Sequence, residues 1–445
     1  MTKVKFSRRQ VLATTAATAA ALAMPYVKGA HAAGKVSVGF WDHWVPGAND
    51  TMTKLCQEWA AKSKVEVQID YITSQGQKNL LTAAAEMQAR SGHDILALPT
   101  WQPNDKAAAL EPVDDVMGQL IQQNGDVNDT VKYLGRKDGH WVAVPATTGS
   151  QFKGPCSRID LLKKHAGIDV QAMYPAGAEP KADGWDMETF VTAAEKCAAG
   201  GNPFGIGLGV TSDSVDAVGA FFSSFGANLV DEKGDIHAKS DNVRQVMEFM
   251  KRLGMVLPKD AAAWDDASNN KFLVSGQGAM ILNPPSAWAV AKLDVPAVAE
   301  QCWTHGMPKG PAGRYGPYLP YFWGIWEFGT NKSAAKDLLV HLSQPDSVGQ
   351  LVAASGGYDL PSFAKLTKFD TWANEAPPKG TLYHYPDPYL QQIKSIAGAP
   401  APANIAFQIY NQGLQTKMVV RYLQGEKLED VLSWAESELE GYSRT

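Results

Sequence analysis

The sequence predicts an α/β fold in two lobes around a cleft. Three observations lead there. The first hundred residues alternate strand-like and helix-like segments, Lys35–Phe40, Asn49–Lys62, Val65–Ile72, Gly76–Ala89 and Asp94–Leu98, which is the order of βαβ units on a parallel sheet. The 445 residues exceed what one hydrophobic core ordinarily holds and suggest two domains. A composition 45% hydrophobic and 20% charged suits a globular chain with a full core.

The N-terminus reads as a leader rather than as part of that fold. Residues 1–32 carry Lys3, Lys5, Arg8, Arg9 and Lys28 and no acid. A weakly apolar Val11–Met24 run leads to Ala30-His31-Ala32, an A-x-A cleavage pattern, and is too short to span a bilayer. Ser7-Arg8-Arg9-Gln10-Val11-Leu12 matches a twin-arginine export signal. No Cys stands at the cleavage point to take a lipid anchor, so the expected mature protein is soluble and periplasmic. Without the leader, 36 basic residues face 46 acidic ones. No basic stripe remains, which disfavours nucleic acid as a partner. Cys56, Cys156, Cys197 and Cys302 form no CxxC or Cys/His cluster, so no structural zinc is expected. They allow three pairings and the sequence selects none; folding before export favours free thiols.

Taken in order, the first strand alternates apolar and polar residues and ends at Trp41-Asp42-His43-Trp44. The third strand, continuously apolar, ends at Thr100-Trp101-Gln102. Ligands of open parallel sheets sit beyond the carboxyl ends of the strands, which places both clusters at the mouth. Gly139–Pro145 reads as a strand, and Ala146–Gly149 has the small, polar composition of a linker. Arg158–His165 is helical and stops near Gly167, and Asp186 is placed to cap a helix over Met187–Ala198. The glycines of Phe204–Val210 have the wrong spacing and no acidic partner for a nucleotide loop, and read as a strand packed close to other backbone. Helices follow over Asp213–Phe225 and Asp241–Leu253, and Trp264-Asp265-Asp266 opens another. That helix runs into Asn270–Trp288, where a short apolar strand stops at Asn283-Pro284-Pro285 and Trp288 lies on the first turn of the next helix. A strand near Cys302–Met307, a Gly/Pro-rich Lys309–Pro320, a strand over Tyr321–Phe328, a helix over Ser333–Leu342 and a turn at Ser355–Pro361 precede a helical remainder to Leu439.

No HExxH, GxSxG or GxxxxGK[ST] motif is present. Asp265 and Asp266 are adjacent on the chain, and neighbours in a helix do not face each other, so they cannot flank one glycosidic bond. The positive signal is aromatic. Trp41, Trp44, Trp101, Trp264, Trp288, Tyr321 and Trp323 all fall near element ends. An indole face covers the C–H face of a sugar while neighbouring Asp, Asn, Gln or His bonds its hydroxyls. Roughly half of such aromatics are expected to be core. Trp41, Trp101 and Trp288, each directly after a strand, are the strongest candidates.

These motifs together resemble the extracellular solute-binding proteins of carbohydrate ABC transporters, the group similar to maltose-binding protein. The resemblance is carried by VSVGFWDHW, HDILALPTWQ, DGHWVAVPATT, RIDLLKKHAGID with GWDMETFVTAAEK, FLVSGQGAMILNPPSAW, ASGGYDLPS and YLQGEKLEDVLSWAESELEGY, in that order along the mature chain. It implies a type II-like periplasmic binding protein fold of two discontinuous lobes joined by hinge crossings. One lobe would hold 34–146 plus 279–329, the other 147–278 plus 330–445, with Asn270–Trp288 as the second crossing. It adds Asn283, Gly357 and Tyr358 to the candidate ligand-binding residues Trp41, Asp42, His43, Trp44, Trp101, Gln102, Trp264, Asp265, Trp288, Tyr321 and Trp323. The sequence departs from the family at Asn283-Pro284-Pro285-Ser286 and at Phe152-Lys153-Gly154-Pro155-Cys156, where a familiar Tyr is replaced, which argues against a maltodextrin ligand. The implied activity is capture of a sugar or polyol by a monomer through hinge closure, and delivery to membrane permease subunits, with no cofactor and no catalysis. The alternatives are a polyamine or glycerol-phosphate binder of the same fold and a secreted carbohydrate-active enzyme.

Overall fold

A computed structural model describes residues 34–175, 180–283, 286–366, 368–371 and 400–444. The expected leader and the Pro284-Pro285 pair lie outside these residues. Nine strands carry the fold: β1 (Lys35–Trp41), β2 (Glu66–Ile72), β3 (Ile95–Pro99), β4 (Val144–Phe152), β5 (Cys156–Arg158), β6 (Phe204–Gly205), β7 (Met280–Ile281), β8 (Cys302–Thr304) and β9 (Tyr318–Ile325). The first sheet runs β2-β1-β3-β9-β4 and the second β8-β5-β7-β6. β1 lies parallel to β2 and β3, while β9 runs antiparallel to β3 and β4. The expected α/β class and its opening βαβ units are therefore present.

Local chemistry accounts for the helices between them. Asp186 caps the Met187–Ala199 helix by accepting the Thr189 N–H at 2.8 Å. The Asp241–Gly254 helix buries Val243, Val246, Met247, Phe249, Met250 and Leu253, three and four residues apart, and turns its charges outward. Gly209 lies so close to the Trp264 carbonyl that a Cβ there would stand 2.7 Å from the oxygen. The glycine run 204–210 thus serves close backbone packing, although only its first two residues form a strand.

Several boundaries differ from the sequence reading. Ala146–Gly149 is not a linker but the middle of β4, whose nine residues are all buried. Small side chains there reflect cover on both faces: a Cβ on Gly149, at φ 88°, would stand 2.8 Å from the Tyr321 ring. The first crossing between sheets falls instead at Lys153–Pro155. The apolar strand of Asn270–Trp288 is β7, which pairs with β5 and β6 in the second sheet. That stretch is therefore no crossing; the chain returns between β8 and β9, through 305–317. The helices Lys332–Leu342 and Pro345–Ala354, expected with the second lobe, pack on the Ala48–Ser63 helix of the first. Trp59 Nε1 donates to Asp337 Oδ2 at 2.9 Å and His341 Nε2 reaches the Leu55 carbonyl at 3.1 Å. The C-terminal helices Ala403–Asn411, Leu414–Leu423 and Leu428–Tyr442 belong with the second sheet's helices, as the bond from Tyr422 to Glu248 illustrates. The helix expected from Trp264 begins at Ser268, because the Asp265 carboxylate accepts the Ala267 N–H and the Ser268 hydroxyl and ends the preceding turn.

The two crossings touch. The Lys153 N–H donates to the Pro317 carbonyl at 2.8 Å. His305 Nδ1 lies 3.0 Å from the Gly306 carbonyl and must carry the proton there, so Nε2 accepts the Ser157 hydroxyl at 2.7 Å. Burial holds the imidazole neutral, pushing its pKa down to about 4.

All four cysteines are buried free thiols. Burial pushes the thiols of Cys56 and Cys197 up to about 12. A thiol reagent should therefore label none of the four in the native protein and all four after denaturation. Labelling of two would reveal a disulfide.

Candidate functional site

A cavity of about 360 Å³ opens between the two sheets' layers. One wall is the segment after the carboxyl end of β2, with Ser74, Gln75, Gln77 and Asn79. The facing wall is built from Val210–Ser212 at the start of the Ser212–Ser224 helix, from Ala263–Ala267, and from Tyr410 and Asn411. Gln77 Nε2 donates to the Val210 carbonyl at 3.3 Å, joining the two walls at one edge. Trp264 lines this cleft from a mostly buried seat against Phe272, with centroids 5.2 Å apart. The site thus sets two aromatic residues, Trp264 and Tyr410, among amides, hydroxyls and carboxylates, the mixture that orients a small polar ligand.

Beneath the cleft lies an ion network. Lys153, on the first crossing, is fully buried; its Nζ stands 2.7 Å from Asp213 Oδ1 and 2.8 Å from Asp216 Oδ2. Burial alone would lower its pKa, but the carboxylates outweigh it and hold the ammonium above its ordinary range. Asp213 Oδ2 accepts Asn269 Nδ2 at 3.0 Å and Asn283 Nδ2 at 2.8 Å. Asp216 Oδ1 accepts the Tyr410 hydroxyl at 2.8 Å. Burial pushes the Asp216 carboxyl up against the pull of Lys153. Asp266, in the cleft wall, accepts the Asp213 N–H at 3.0 Å. Burial, then the charge of Asp213, raises its carboxyl to about 6.

Residues 54–379 match the family model described as "Bacterial extracellular solute-binding protein". The chain belongs to this family. No curated protein sequence matches it. Among solved structures, it is similar to the maltose-bound MalE3 of T. maritima, with 18% identity, a TM-score of 0.70, and 92% of this chain and 99% of that one covered. It is also similar to the bacterial solute receptor AcbH, titled for its exclusive preference for b-D-galactopyranose (15%, 0.69, 93% and 99%). A third likeness is to a sugar transporter of Arthrobacter chlorophenolicus A6 with bound laminaribiose (16%, 0.69, 92% and 99%). At these identities the likeness shows a shared fold.

In this solute-binding protein the sequence candidates fall into three groups. Trp264 and Asp265 line the cleft, and Asn283 lies beneath it, bonded to Asp213. A second group forms an aromatic cluster behind the β2-side wall. Trp41 lies 5.9 Å from Tyr358 with planes at 18°, 5.5 Å from Tyr321, 4.8 Å from His43 and 6.4 Å from Trp44. The cluster touches the wall at two points: Trp41 Nε1 donates to Ser74 Oγ at 3.3 Å, and Asn79 Nδ2 reaches the Tyr321 hydroxyl at 3.5 Å. His43 Nδ1 accepts the Val45 N–H, so Nε2 carries the proton and donates to Asp359 at 3.1 Å, which also accepts the Gly149 N–H. Gly357, at φ 82°, makes the turn that presents Tyr358. Asp42 is exposed and bonded to Asn49. The third group is core. Trp101 packs edge-on against Tyr133 and Gln102 is buried beside it. Trp323 packs against Phe40. Trp288 sits in a separate cluster with Leu273, Ile281 and Ala291, under the Lys292 ammonium, and does not line the cleft.

Sequence reasoning missed Gln75, Gln77, Asn79, Thr211, Ser212, Tyr410 and Asn411, whose types are ordinary for loops. It also missed the network, although Asp213 and Asp216 stand three apart on one face of a helix with no other charged residue.

Proposed function

We propose that this chain is the exported binding component of an ABC importer and captures a sugar or sugar-like solute in the cleft between its two units. The observation that carries the reading is the cleft itself: it lies between the two units, its walls come from both, and they bring Trp264 and Tyr410 together with amide and hydroxyl side chains. The similar structures, one with maltose, one a receptor preferring b-D-galactopyranose and one with laminaribiose, support the ligand class. One unit comprises the first sheet with the 332–354 helices; the other comprises the second sheet with the C-terminal helices. They hinge at Lys153–Pro155 and 305–317. Ligand contacts made from both walls favour the closed arrangement, which docks on membrane permease subunits. The leader directs the chain to the periplasm by the twin-arginine route, and the mature protein works as a monomer without a cofactor. Among the described residues no helix is long and apolar enough to cross a membrane.

A thermal-shift screen of the mature chain with sugars, polyols, polyamines and glycerol phosphates tests this. A hundredfold excess over the dissociation constant stabilises by about 2.7 kcal/mol, an upward shift of about 3 °C for a chain of this length. Trp264→Ala should abolish that shift, and Trp264→Phe should retain part of it. A shift with glycerol phosphates alone, or turnover of any sugar by the isolated protein, overturns the reading.

A further inference from the structure

The cleft carries more negative charge than the protein neutralises. One ammonium, Lys153, is shared between Asp213 and Asp216, and both of its carboxylate contacts are spent below the cleft surface. Asp266, in the cleft wall, receives the Asp213 N–H and has the Thr211 hydroxyl beside it; the Lys153 charge acts on it from a distance, but no cation pairs with it directly among the described residues. Asp265 lies beside it in the same wall, its carboxylate turned to the Ser268 hydroxyl. None of the described lining residues is Lys, Arg or His. Asn283, buried below the cleft and outside its lining, spends its Nδ2 on Asp213.

A buried carboxylate left unpaired is costly, and the cost is removed by a proton or by a cation. Near neutral pH the Asp266 carboxyl, held at about 6, is mostly ionised. The cavity beside it has room for a monosaccharide or a larger ring, and Trp264 supplies an aromatic face that also attracts cations.

We propose that the cleft selects a polyhydroxylated ligand bearing a protonated amine, an amino sugar, with the ammonium against Asp266 and the hydroxyls met by the Ser74–Asn79 wall, and that it rejects sugar acids. The assignment rests on the sugar-binding reading above. It separates the members of that class by charge: an ammonium completes the pairing that Lys153 leaves unfinished, a neutral sugar leaves Asp266 unpaired on closure, and an anion repels it.

Titration calorimetry on the mature chain near neutral pH tests it with matched triplets: glucosamine, glucose and glucuronate, and the galactose and mannose equivalents. The amino member of one triplet should bind at least about tenfold tighter than its parent hexose, and the uronate should not bind. Asp266→Asn should erase that preference, leaving the amine bound no tighter than its parent hexose. Asp265→Asn, farther from the network, should reduce the preference by less. A thermal melt of each variant without ligand confirms folding. Equal affinity for amine and hexose, binding of a uronate, or an amine preference that survives Asp266→Asn overturns the charge assignment and leaves the sugar reading standing. Binding of putrescine or spermidine with no sugar bound overturns both.

Discussion

Lys153→Met should cost the fold about 3–5 kcal/mol, because it strands two carboxylates in a site from which water is excluded. Lys153 is 0% exposed, and its Nζ lies within 2.8 Å of both Asp213 and Asp216. Methionine nearly fills the same volume, so the loss comes from charge rather than from a cavity. Urea denaturation followed by Trp fluorescence measures it, and a loss below about 1 kcal/mol would mean that the pairing contributes as little as an exposed one. The triple variant Lys153→Met with Asp213→Asn and Asp216→Asn should recover most of the deficit, since an uncharged network no longer needs its cation. The sign of the pH dependence separates this from simple mispacking. Without the lysine, buried aspartates hold their protons to higher pH than in the unfolded chain. Their contribution is intact below the unfolded carboxylate range and is lost as pH rises through the folded pKa. The deficit should accordingly be smaller at mildly acidic pH than at neutral pH.

The network also marks where sequence reading stopped. The opening strands were legible because their periodicity and length leave little choice: β1 alternates, β3 is apolar throughout, and helices of ordinary length separate them. β4 was not. Ala146, Thr147, Thr148 and Gly149 are small enough to read as a linker, yet they are small because β9 and the aromatic cluster cover them. β7 was placed in the wrong sheet because a two-residue apolar strand pairs equally well in either, and only β5 and β6 decide it. The same ambiguity misplaced Lys332–Leu342: an apolar helix face states that it is covered, not by what. Strand-end aromatics were a partial guide to the site. Trp264 reaches the cleft, whereas Trp41, Tyr321 and Tyr358 satisfy one another one layer behind it. Lys153 was not legible, because the polar and turn-forming neighbours of Ser150–Ser157 do not announce a buried site, whereas the fold leaves its ammonium no route to solvent and it must find an acid.

Trp41→Ala should destabilise the protein by about 3–5 kcal/mol, as large-to-small changes of buried aromatics do. Trp41 is 3% exposed, stacked on Tyr358 and flanked by Tyr321, His43 and Trp44. Removing the indole opens space among rings that are held by β1, β9 and the 355–361 turn, three separate pieces of chain that cannot all close on it. Trp41→Phe keeps an aromatic in the stack and should cost less than half as much. A double-mutant cycle of Trp41→Ala with Tyr358→Ala should give a coupling of about 0.5–1.5 kcal/mol, the size of one aromatic pair beyond its buried area. The functional consequence follows from the same geometry. The indole N–H holds Ser74 Oγ in the cleft wall, so ligand affinity should fall in Trp41→Phe, where the ring remains and the N–H is gone. The loss should stay near tenfold, the scale of one hydrogen bond acting through a neighbour. Trp264→Phe, by contrast, alters a residue of the proposed ligand cleft and should cost more affinity and less stability. If Trp41→Ala instead unfolds at the wild-type urea concentration and abolishes binding, the Trp41 ring faces the ligand, and the cluster behind the wall is part of the binding site itself.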